Sequence, residues 1–302
     1  MSLAARTRTR TRTRTRTRTR TRPWSPPVPS RRTLLSLLGM ALIVVYCLAP
    51  FYWMTVSSFR RTSDLFSMSL LPSPWSLENY RAVLEPGNGF GRALLNSLIV
   101  AGATTVLTLV IATFTSYALA RLEFRGKNLV LAVVVATSMF PGISLVVPLL
   151  KLFTDNLHWV NTYQAMILPS LSFALPLAVW NLTAFFRQLP RELEQAAMVD
   201  GCTPGQAFRK VILPLTAPGV FTTAILTFIG AWNEFIIALS MVNRSSMRTA
   251  TVAIAQFNGT SGFQVPYGTK MAAGVVVTVP LVVLVLVFQR RIIAGLTAGA
   301  VK

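Results

Sequence analysis

The side chains best suited to chemistry in this chain lie inside its most apolar stretches. They are aromatic rings, amides and one carboxylate, namely Trp180, Asn181, Trp232, Asn233 and Glu234. A carboxylate among apolar residues is costly to bury, so Glu234 is a candidate for a functional role. Aromatic faces beside amide and hydroxyl groups could hold a polyhydroxylated molecule such as a sugar. The alternative is that WNEF (232–235) is a packing and hinge feature, in which Asn233 and Glu234 hydrogen-bond to neighbouring helices.

No catalytic or metal-binding constellation accompanies these residues in the sequence. His158 is the one histidine, and no cluster has the spacing of metal ligands. The sequence RGKN (125–128) lacks the upstream glycine and the hydroxyl residue of a phosphate-binding loop. No nucleophile elbow or zinc motif is present. We therefore expect no catalytic residue, no metal site and no cofactor bound by this chain.

The composition is that of a membrane protein. The 302 residues have a mean hydropathy of +0.55, and only 13% are charged, against about a quarter in a soluble domain. A helix needs ~20 mostly apolar residues to cross a bilayer, and unbroken apolar runs exclude the alternating pattern of a barrel. The sequence therefore predicts an all-α, polytopic membrane protein with six transmembrane helices at about 33–56, 96–119, 128–150, 162–186, 215–242 and 271–289.

Proline recurs within the predicted spans. Each proline removes a backbone hydrogen bond and can kink its helix. Either the helices are built to bend around a cavity, or the prolines reflect the general frequency of this residue in spanning helices. The residues concerned are Pro141, Pro148, Pro169, Pro176, Pro218 and Pro280.

Basic residues set the expected orientation. Residues 1–32 hold an Arg-Thr repeat and the proline-rich PWSPPVPS, so we expect a disordered arm before a membrane domain at 33–302. The arm is either a tether to anionic lipid or a dispensable tail. The net charge of +20 lies mostly in the arm and beside the spans, so we expect contact with membrane lipid and not with nucleic acid. Positive residues in short loops favour the cytoplasm, which places both termini there, together with the loop between spans four and five.

That loop, at 187–214, is polar and helix-prone although apolar spans flank it. Glu192 and Glu194 suit the positive end of a helix, and Gly201 suits the end of the same helix. The sequence TPGQ (203–206) then predicts a capping box at the start of a second helix. Two short helices bracketed by two spans suit docking into a cleft of another protein as a rigid lever. The alternative is an amphipathic connector that lies on the membrane surface.

Part of this loop resembles the signature loop of the membrane subunits of binding-protein-dependent ABC importers. It reads EQAAMVDG, followed by nine residues and then VILP. In that family the coupling helix, which contacts the ATPase subunits, is marked by a pattern. The pattern is Glu-Ala-Ala, then three residues and a Gly, then nine residues and Ile-x-Leu-Pro. This chain departs from the pattern at Gln195, where the family usually has Glu, so a charged contact there would have to come from Glu194. The resemblance implies ATPase-coupling roles for Glu194, Gln195, Ala196, Ala197, Asp200, Gly201 and Pro214.

Other stretches are similar to the sugar branch of that family, in particular to maltose/trehalose-type second permease subunits. The resemblance runs from about residue 34 to the end of the chain. It implies the six-helix fold of type I ABC importer permeases and a non-enzymatic subunit that moves a sugar, such as trehalose or maltose, by alternating access. The matching stretches are ENYRAVL (78–84), SYALARLEFRGK (116–127), FPGISLVVPL (140–149) and WNEF (232–235).

The resemblance also implies the partners. These are a second permease subunit that completes a heterodimer, two ATP-binding subunits that carry ATP and Mg²⁺, and an extracytoplasmic sugar-binding protein, assembled at the cell membrane. The outer loop 243–270, with FNGTSGF at 257–263, is either a contact for that binding protein or a plain connector. Two alternatives stay open: a permease for another carbohydrate or a glycerol-phosphate-type solute, and a self-contained secondary transporter, for which Glu234 would be almost the only buried carboxylate.

Overall fold

The computed structural model describes residues 31–65, 67–257 and 266–298, with side chains up to Gln289 in the last stretch. Regular structure in these ranges is helical, in agreement with the predicted all-α fold. Most of the predicted arm at 1–32, and of FNGTSGF at 257–263, lies outside the described residues. The helices in chain order are α1 Arg31–Ser58, α2 Glu78–Leu84, α3 Phe90–Arg121, α4 Lys127–Thr137, α5 Ile143–Lys151, α6 Tyr163–Gln188, α7 Glu192–Val199, α8 Pro204–Ala207, α9 Leu213–Leu215, α10 Ala217–Trp232, α11 Ile236–Met241, α12 Ala250–Ala255 and α13 Tyr267–Ala298.

Contacts divide the chain between Ala49 and Pro50, within α1. Up to Ala49 this helix is a regular apolar segment, and the unit that begins at Pro50 contains all the later helices. The predicted division into an arm at 1–32 and a membrane domain at 33–302 stays a prediction, although α1 does begin at Arg31.

The described residues contain four helices that are long and apolar enough to cross a membrane: α1, α3, α6 and α13 over Tyr267–Gln289. A fifth crossing is formed if Pro204–Leu215 and Ala217–Trp232, which meet at 69°, count as one bent span. The third predicted span, 128–150, is not one helix. It is divided into α4 and α5 by a break that contains Pro141, because a proline disfavours helical geometry at the residue before it. Six crossings therefore stay a prediction, with the third one interrupted.

The predicted prolines fall into two groups. Pro148, Pro169, Pro176 and Pro280 lie inside helices. Pro218 lies in the first turn of α10, where a missing N–H has no consequence for the helix, and Pro141 lies in the break described above.

The core is formed where α3, α6 and α10 pack against one another. Buried hydroxyl and small residues dominate these contacts, as they do between membrane helices generally, because they let backbones approach closely. On α3, Ser116 donates a hydrogen bond of 2.9 Å to the backbone oxygen of Val179 on α6. On α10, a Cβ added to Gly219 would lie 2.4 Å from the Phe185 ring, so no larger residue fits there without rearrangement.

At the opposite end of α3 from the 187–214 segment, a fully buried amide holds three parts of the chain together. Asn96 donates to the backbone oxygens of Ser246 and Arg248, at 3.0 and 2.9 Å, and its Oδ1 accepts from the Tyr163 hydroxyl at 2.8 Å. The amide therefore has both its donors and its acceptor satisfied, which a buried polar group requires. This network fixes the start of α6 and the 245–248 turn against α3.

Candidate functional site

The first helix of the 187–214 segment has the predicted form. Helix α7 carries Glu192 and Glu194 in its first turn. It ends in a Schellman motif, in which the N–H of Cys202 donates to Ala197 O at 3.0 Å and the N–H of Gly201 donates to Met198 O at 3.1 Å. Gly201 has a φ of +89°, a conformation that glycine adopts without the steric cost of a Cβ.

The second helix begins with the predicted capping box. The Thr203 hydroxyl accepts from the N–H of Gln206 at 3.3 Å, and the Gln206 side chain accepts from the N–H of Thr203 at 2.9 Å. Pro204 occupies the first turn, where it is best tolerated. Helix α8 then continues through a π-helical stretch, Phe208–Ile212, into α9. The segment is thus joined to α10 by one bent helical run that contains Pro214.

Most of the predicted coupling residues lie at the surface. Gln195, Ala196, Asp200, Gly201 and Pro214 are exposed, and Ala197 is buried against the rest of the unit. Beside them, apolar side chains of α7 also face outward. Met198 is exposed and Val199 is 87% exposed. An apolar surface of this kind with a polar rim is typical of a protein-binding site.

Glu194 differs from the exposed coupling residues because its carboxylate points toward α3. Its Oε1 accepts a hydrogen bond from the hydroxyl of Tyr117, and its Oε2 lies 3.9 Å from Nε of Arg121. Both partners lie on the last turns of α3. The side chains of Glu194 and Arg121 are only 15% and 5% exposed.

An exposed ion-pair network lies close to this inward-facing group. Arg191 donates to Glu123 at 2.5 Å, and Lys127 donates to the other oxygen of the same carboxylate at 2.8 Å. The hydrogen bond from Arg191, and then that from Lys127, lowers the pKa of Glu123 to about 2. The same carboxylate raises the pKa of Arg191. Glu123 is therefore ionised at every physiological pH.

The aromatic and amide residues predicted for a substrate pathway lie in different places. Trp180 on α6 is 54% exposed. Its neighbour Asn181 donates a hydrogen bond of 2.8 Å to the Thr223 hydroxyl on α10, which ties the two helices together. Trp232 is buried and stacks on Phe228, with ring centroids 5.7 Å apart. Both Asn181 and Trp232 thus contact neighbouring side chains of the helices.

Asn233 and Glu234 lie at a break between α10 and α11, so the predicted span 215–242 is also interrupted. Asn233 donates to Ile229 O at 2.8 Å. The Glu234 carboxylate accepts from the N–H groups of Ile237 and Ala238, at 2.7 and 3.0 Å, and so caps the start of α11. These bonds fit the interpretation of WNEF as a packing and hinge feature.

Glu234 also lines a cavity of about 250 Å³ between α6 and α10. None of the other four predicted pathway residues lines it. The walls are otherwise apolar or weakly polar, and the lining residues include Ser170, Phe173, Leu177, Thr227 and Gly230. A cavity with one carboxylate and a few hydroxyl groups can surround an uncharged polar solute, but the sequence alone did not indicate Phe173 or Ser170.

The described residues contain no group of three His, Cys, Asp or Glu side chains that could hold a metal ion. Tyr117 and Arg121, which contact Glu194, were not predicted from the sequence, nor was the packing of the Phe208 ring on Tyr117 with centroids 4.6 Å apart. One signal was available for the first two, since a spacing of four residues in SYALAR places them on one face of α3.

Comparison with known proteins gives the family. Residues 109–297 match the family described as binding-protein-dependent transport system inner membrane component. The chain is 48% identical to the trehalose transport system permease protein SugB of Mycobacterium tuberculosis, over 86% of this chain and 94% of that protein. It is 44% identical to the trehalose/maltose transport system permease protein MalG of Thermococcus litoralis, over 90% of this chain and 97% of that protein.

Two further proteins extend the comparison. The sulfoquinovosyl glycerol transport system permease protein SmoH of Agrobacterium fabrum is 38% identical, over 89% of this chain and 93% of that protein. A crystal structure of a bacterial ABC transporter involved in the import of the acidic polysaccharide alginate contains a chain of similar fold, with a TM-score of 0.71. The match covers 87% of the present protein and 99% of the chain in that structure, at 19% sequence identity. The last match concerns the fold alone. The sequence matches show that this protein belongs to the family of inner membrane components of binding-protein-dependent transport systems.

Proposed function

We propose that this chain is one of two membrane subunits of an ATP-driven ABC importer, and that the importer moves an α-linked disaccharide such as trehalose or maltose into the cell. The observation that carries the proposal is the form of the 187–214 segment. Its two capped helices are fixed to α3 and α10 and present an exposed surface that includes Gln195, Met198 and Val199. Since the sequence has no phosphate-binding loop, energy from ATP has to arrive through a docking surface of this kind.

The remaining components follow from the family. Two ATP-binding subunits would hold ATP and Mg²⁺ and contact the 187–214 segment in the cytoplasm, where both termini of this chain would also lie. A second permease would complete the membrane pathway, and an extracytoplasmic sugar-binding protein would deliver the solute. This chain would perform no reaction itself and would bind no cofactor.

The relatives' names support the choice of substrate. Two relatives above 40% identity are named for trehalose and for trehalose/maltose. A second candidate is another glycoside, because the relative at 38% identity is named for sulfoquinovosyl glycerol.

Alternating access supplies the mechanism. Closure of the ATP-binding subunits would move α7, and the displacement would reach α10 through the bent run from Pro204 to Leu215. The cavity between α6 and α10 would be this chain's half of the pathway. The break at Asn233–Phe235, held by the Glu234 cap, would let α11 tilt relative to α10 without breaking either helix.

The test is reconstitution of the complete complex in proteoliposomes. We expect the complex with its binding protein to accumulate radiolabelled trehalose or maltose only when ATP is present on the side of the 187–214 segment, and to show sugar-stimulated ATP hydrolysis. Calorimetry of the binding protein with trehalose, maltose and a sulfoquinovosyl glycoside separates the two substrate candidates. Uptake without ATP would contradict the proposal and support a secondary transporter.

A single substitution tests the docking surface. Val199→Glu places a charge on the exposed side chain at the end of α7, and we expect ATPase subunits to co-purify at least ~10-fold less well, since a desolvated unpaired charge is costly at an interface. Leu122→Glu is the matched control, because Leu122 is 53% exposed and follows α3 outside the segment. Equal co-purification of both variants with the ATPase subunits would contradict the assignment of the surface.

A further inference from the structure

We infer that Glu194 acts as a positioning residue, which fixes α7 to the end of α3 through Tyr117 and Arg121, and that it does not itself contact the ATPase subunits. The inference rests on the proposed function, in which α7 transmits their movement. According to this inference, the movement of α7 is transmitted to α3 by a specific set of buried contacts inside this chain.

The orientation of Glu194 supports this role. The neighbouring Gln195 and Val199 face outward, whereas the carboxylate of Glu194 turns toward α3. One of its oxygens accepts the hydrogen bond from Tyr117, and the other lies 3.9 Å from Arg121 Nε. With a side chain only 15% exposed, Glu194 has little surface left for a partner protein.

The guanidinium of Arg121 depends on this carboxylate for a counter-charge. Arg121 is 5% exposed, and its Nε and Nη2 have no hydrogen-bond acceptor among the described residues. A buried cation is stable only when a counter-charge lies nearby, and Glu194 is the one that the structure pairs with it. Tyr117 and Arg121 are four residues apart on α3 and therefore present one face to α7.

The second helix of the segment reaches the same place. The ring of Phe208 packs on the ring of Tyr117 with centroids 4.6 Å apart, and Phe186 of α6 meets Tyr117 edge-on at 5.9 Å. Both halves of the segment thus meet at one side chain of α3. Because α3 packs along α6 and α10, a displacement of α7 passes to all three core helices.

The exposed network supplies a matched control. Glu123 bonds to Arg191, which adjoins α7, but its side chain is 64% exposed. Exposed ion pairs contribute little to stability and are screened by salt. Glu123→Gln therefore removes the negative charge of an ion pair between the same two parts of the chain without disturbing the buried group.

The experiment measures transported sugar per ATP hydrolysed in the reconstituted complex. The variants are Tyr117→Phe, Glu194→Ala, Glu194→Gln, their combinations and Glu123→Gln. We expect Tyr117→Phe and Glu194→Ala each to lower this ratio ~5- to 10-fold, within the range of measured coupling energies. Glu194→Gln should restore part of the loss relative to Glu194→Ala, because its amide oxygen still accepts from Tyr117. That advantage should vanish in the Tyr117→Phe background, and Glu123→Gln should leave the ratio unchanged.

Several results would overturn the inference. An unchanged ratio in Tyr117→Phe would do so, and this variant keeps the ring packing with Phe208, so the complex should assemble. Additive losses from Tyr117→Phe and Glu194→Ala would instead indicate that Glu194 contacts the ATPase directly. Failure of the proposed function looks different, since the unsubstituted complex would then show no ATP-dependent uptake at all.

Discussion

At the scale of single residues, Gly201 shows how a local backbone requirement fixes the geometry of a surface. No atom lies within 4 Å of the place where a Cβ would be, so space does not demand a glycine. The demand comes from the φ of +89°, which a residue with a side chain adopts only at a cost. The glycine therefore ends α7 and sets the angle at which α8 leaves it.

Substitution of Gly201 should destabilise the protein although a Cβ at this position would contact no other atom. We expect Gly201→Ala to destabilise the turn by about 1–2 kcal/mol, and Gly201→Val to lower both uptake and sugar-stimulated ATP hydrolysis further, because a β-branched residue suits the left-handed region least. The check is to measure uptake and sugar-stimulated ATPase activity separately, together with thermal denaturation of the purified complex.

Gly205 provides the control. It lies four residues further along, also has open space around its Cβ position, but belongs to the first turn of α8 with ordinary helical geometry. Gly205→Ala should leave stability unchanged or raise it slightly, since alanine favours a helix. If Gly201→Val retained full coupled uptake, the turn would not be a rigid part of the lever.

The residue scale also shows where sequence reasoning stops. The buried pairing of Glu194 with Tyr117 joins positions 77 residues apart, and no local pattern indicates such a contact. Asn181 is predicted to face a pathway, and the structure shows that its amide donates a hydrogen bond to Thr223 on the next long helix. A polar residue in an apolar run looks the same in sequence whether it faces a cavity or a neighbouring helix.

At the scale of elements, hydrogen bonds between residues close in sequence could be predicted from the sequence. Thr203, Pro204 and Gln206 predicted the capping box that the structure contains, because both of its hydrogen bonds connect residues three apart. The interruptions of the long spans could not be predicted from hydropathy, because hydropathy averages the polarity of the side chains and takes no account of backbone geometry. The break at Asn233–Phe235 has no proline or glycine and depends on the Glu234 cap.

The capping box yields a prediction of its own. Thr203→Ala removes the acceptor for the Gln206 N–H and should destabilise the start of α8 by about 1 kcal/mol. Thr203→Ser keeps the hydroxyl and should behave like the unsubstituted protein. Hydrogen exchange of the 203–207 amides in the complex measures the difference, and equal protection in both variants would show that packing of the π-helical stretch, not the cap, holds this helix.

At the scale of the whole molecule, α6 and α10 border the cavity that Glu234 lines, and occupation of this cavity should matter only to transport. We expect Gly230→Trp to fill much of the ~250 Å³ cavity and to abolish uptake, while the complex still assembles and hydrolyses ATP. Gly230 has open space at its Cβ position, so the larger side chain enters the cavity and not the packed core.

The comparison for this variant is Gly102→Trp on α3. Gly102 is equally open at its Cβ position but does not line the cavity. Uptake should survive in Gly102→Trp, as measured by sugar accumulation in proteoliposomes. Loss of uptake in both variants would mean that bulk anywhere on these helices, and not blockage of one passage, prevents movement.

The bent run from Pro204 to Leu215 has one more consequence. Where it has α-helical geometry, each residue in it turns the chain by about 100° about the local axis. Insertion or deletion of a single residue in an α-helical part of the run would rotate α7 by more than a quarter turn relative to α10 and would swing Val199 away from its present direction. The count of residues in this run is thus itself a structural parameter: sequences that share the architecture can exchange its exposed side chains, but they must conserve its length.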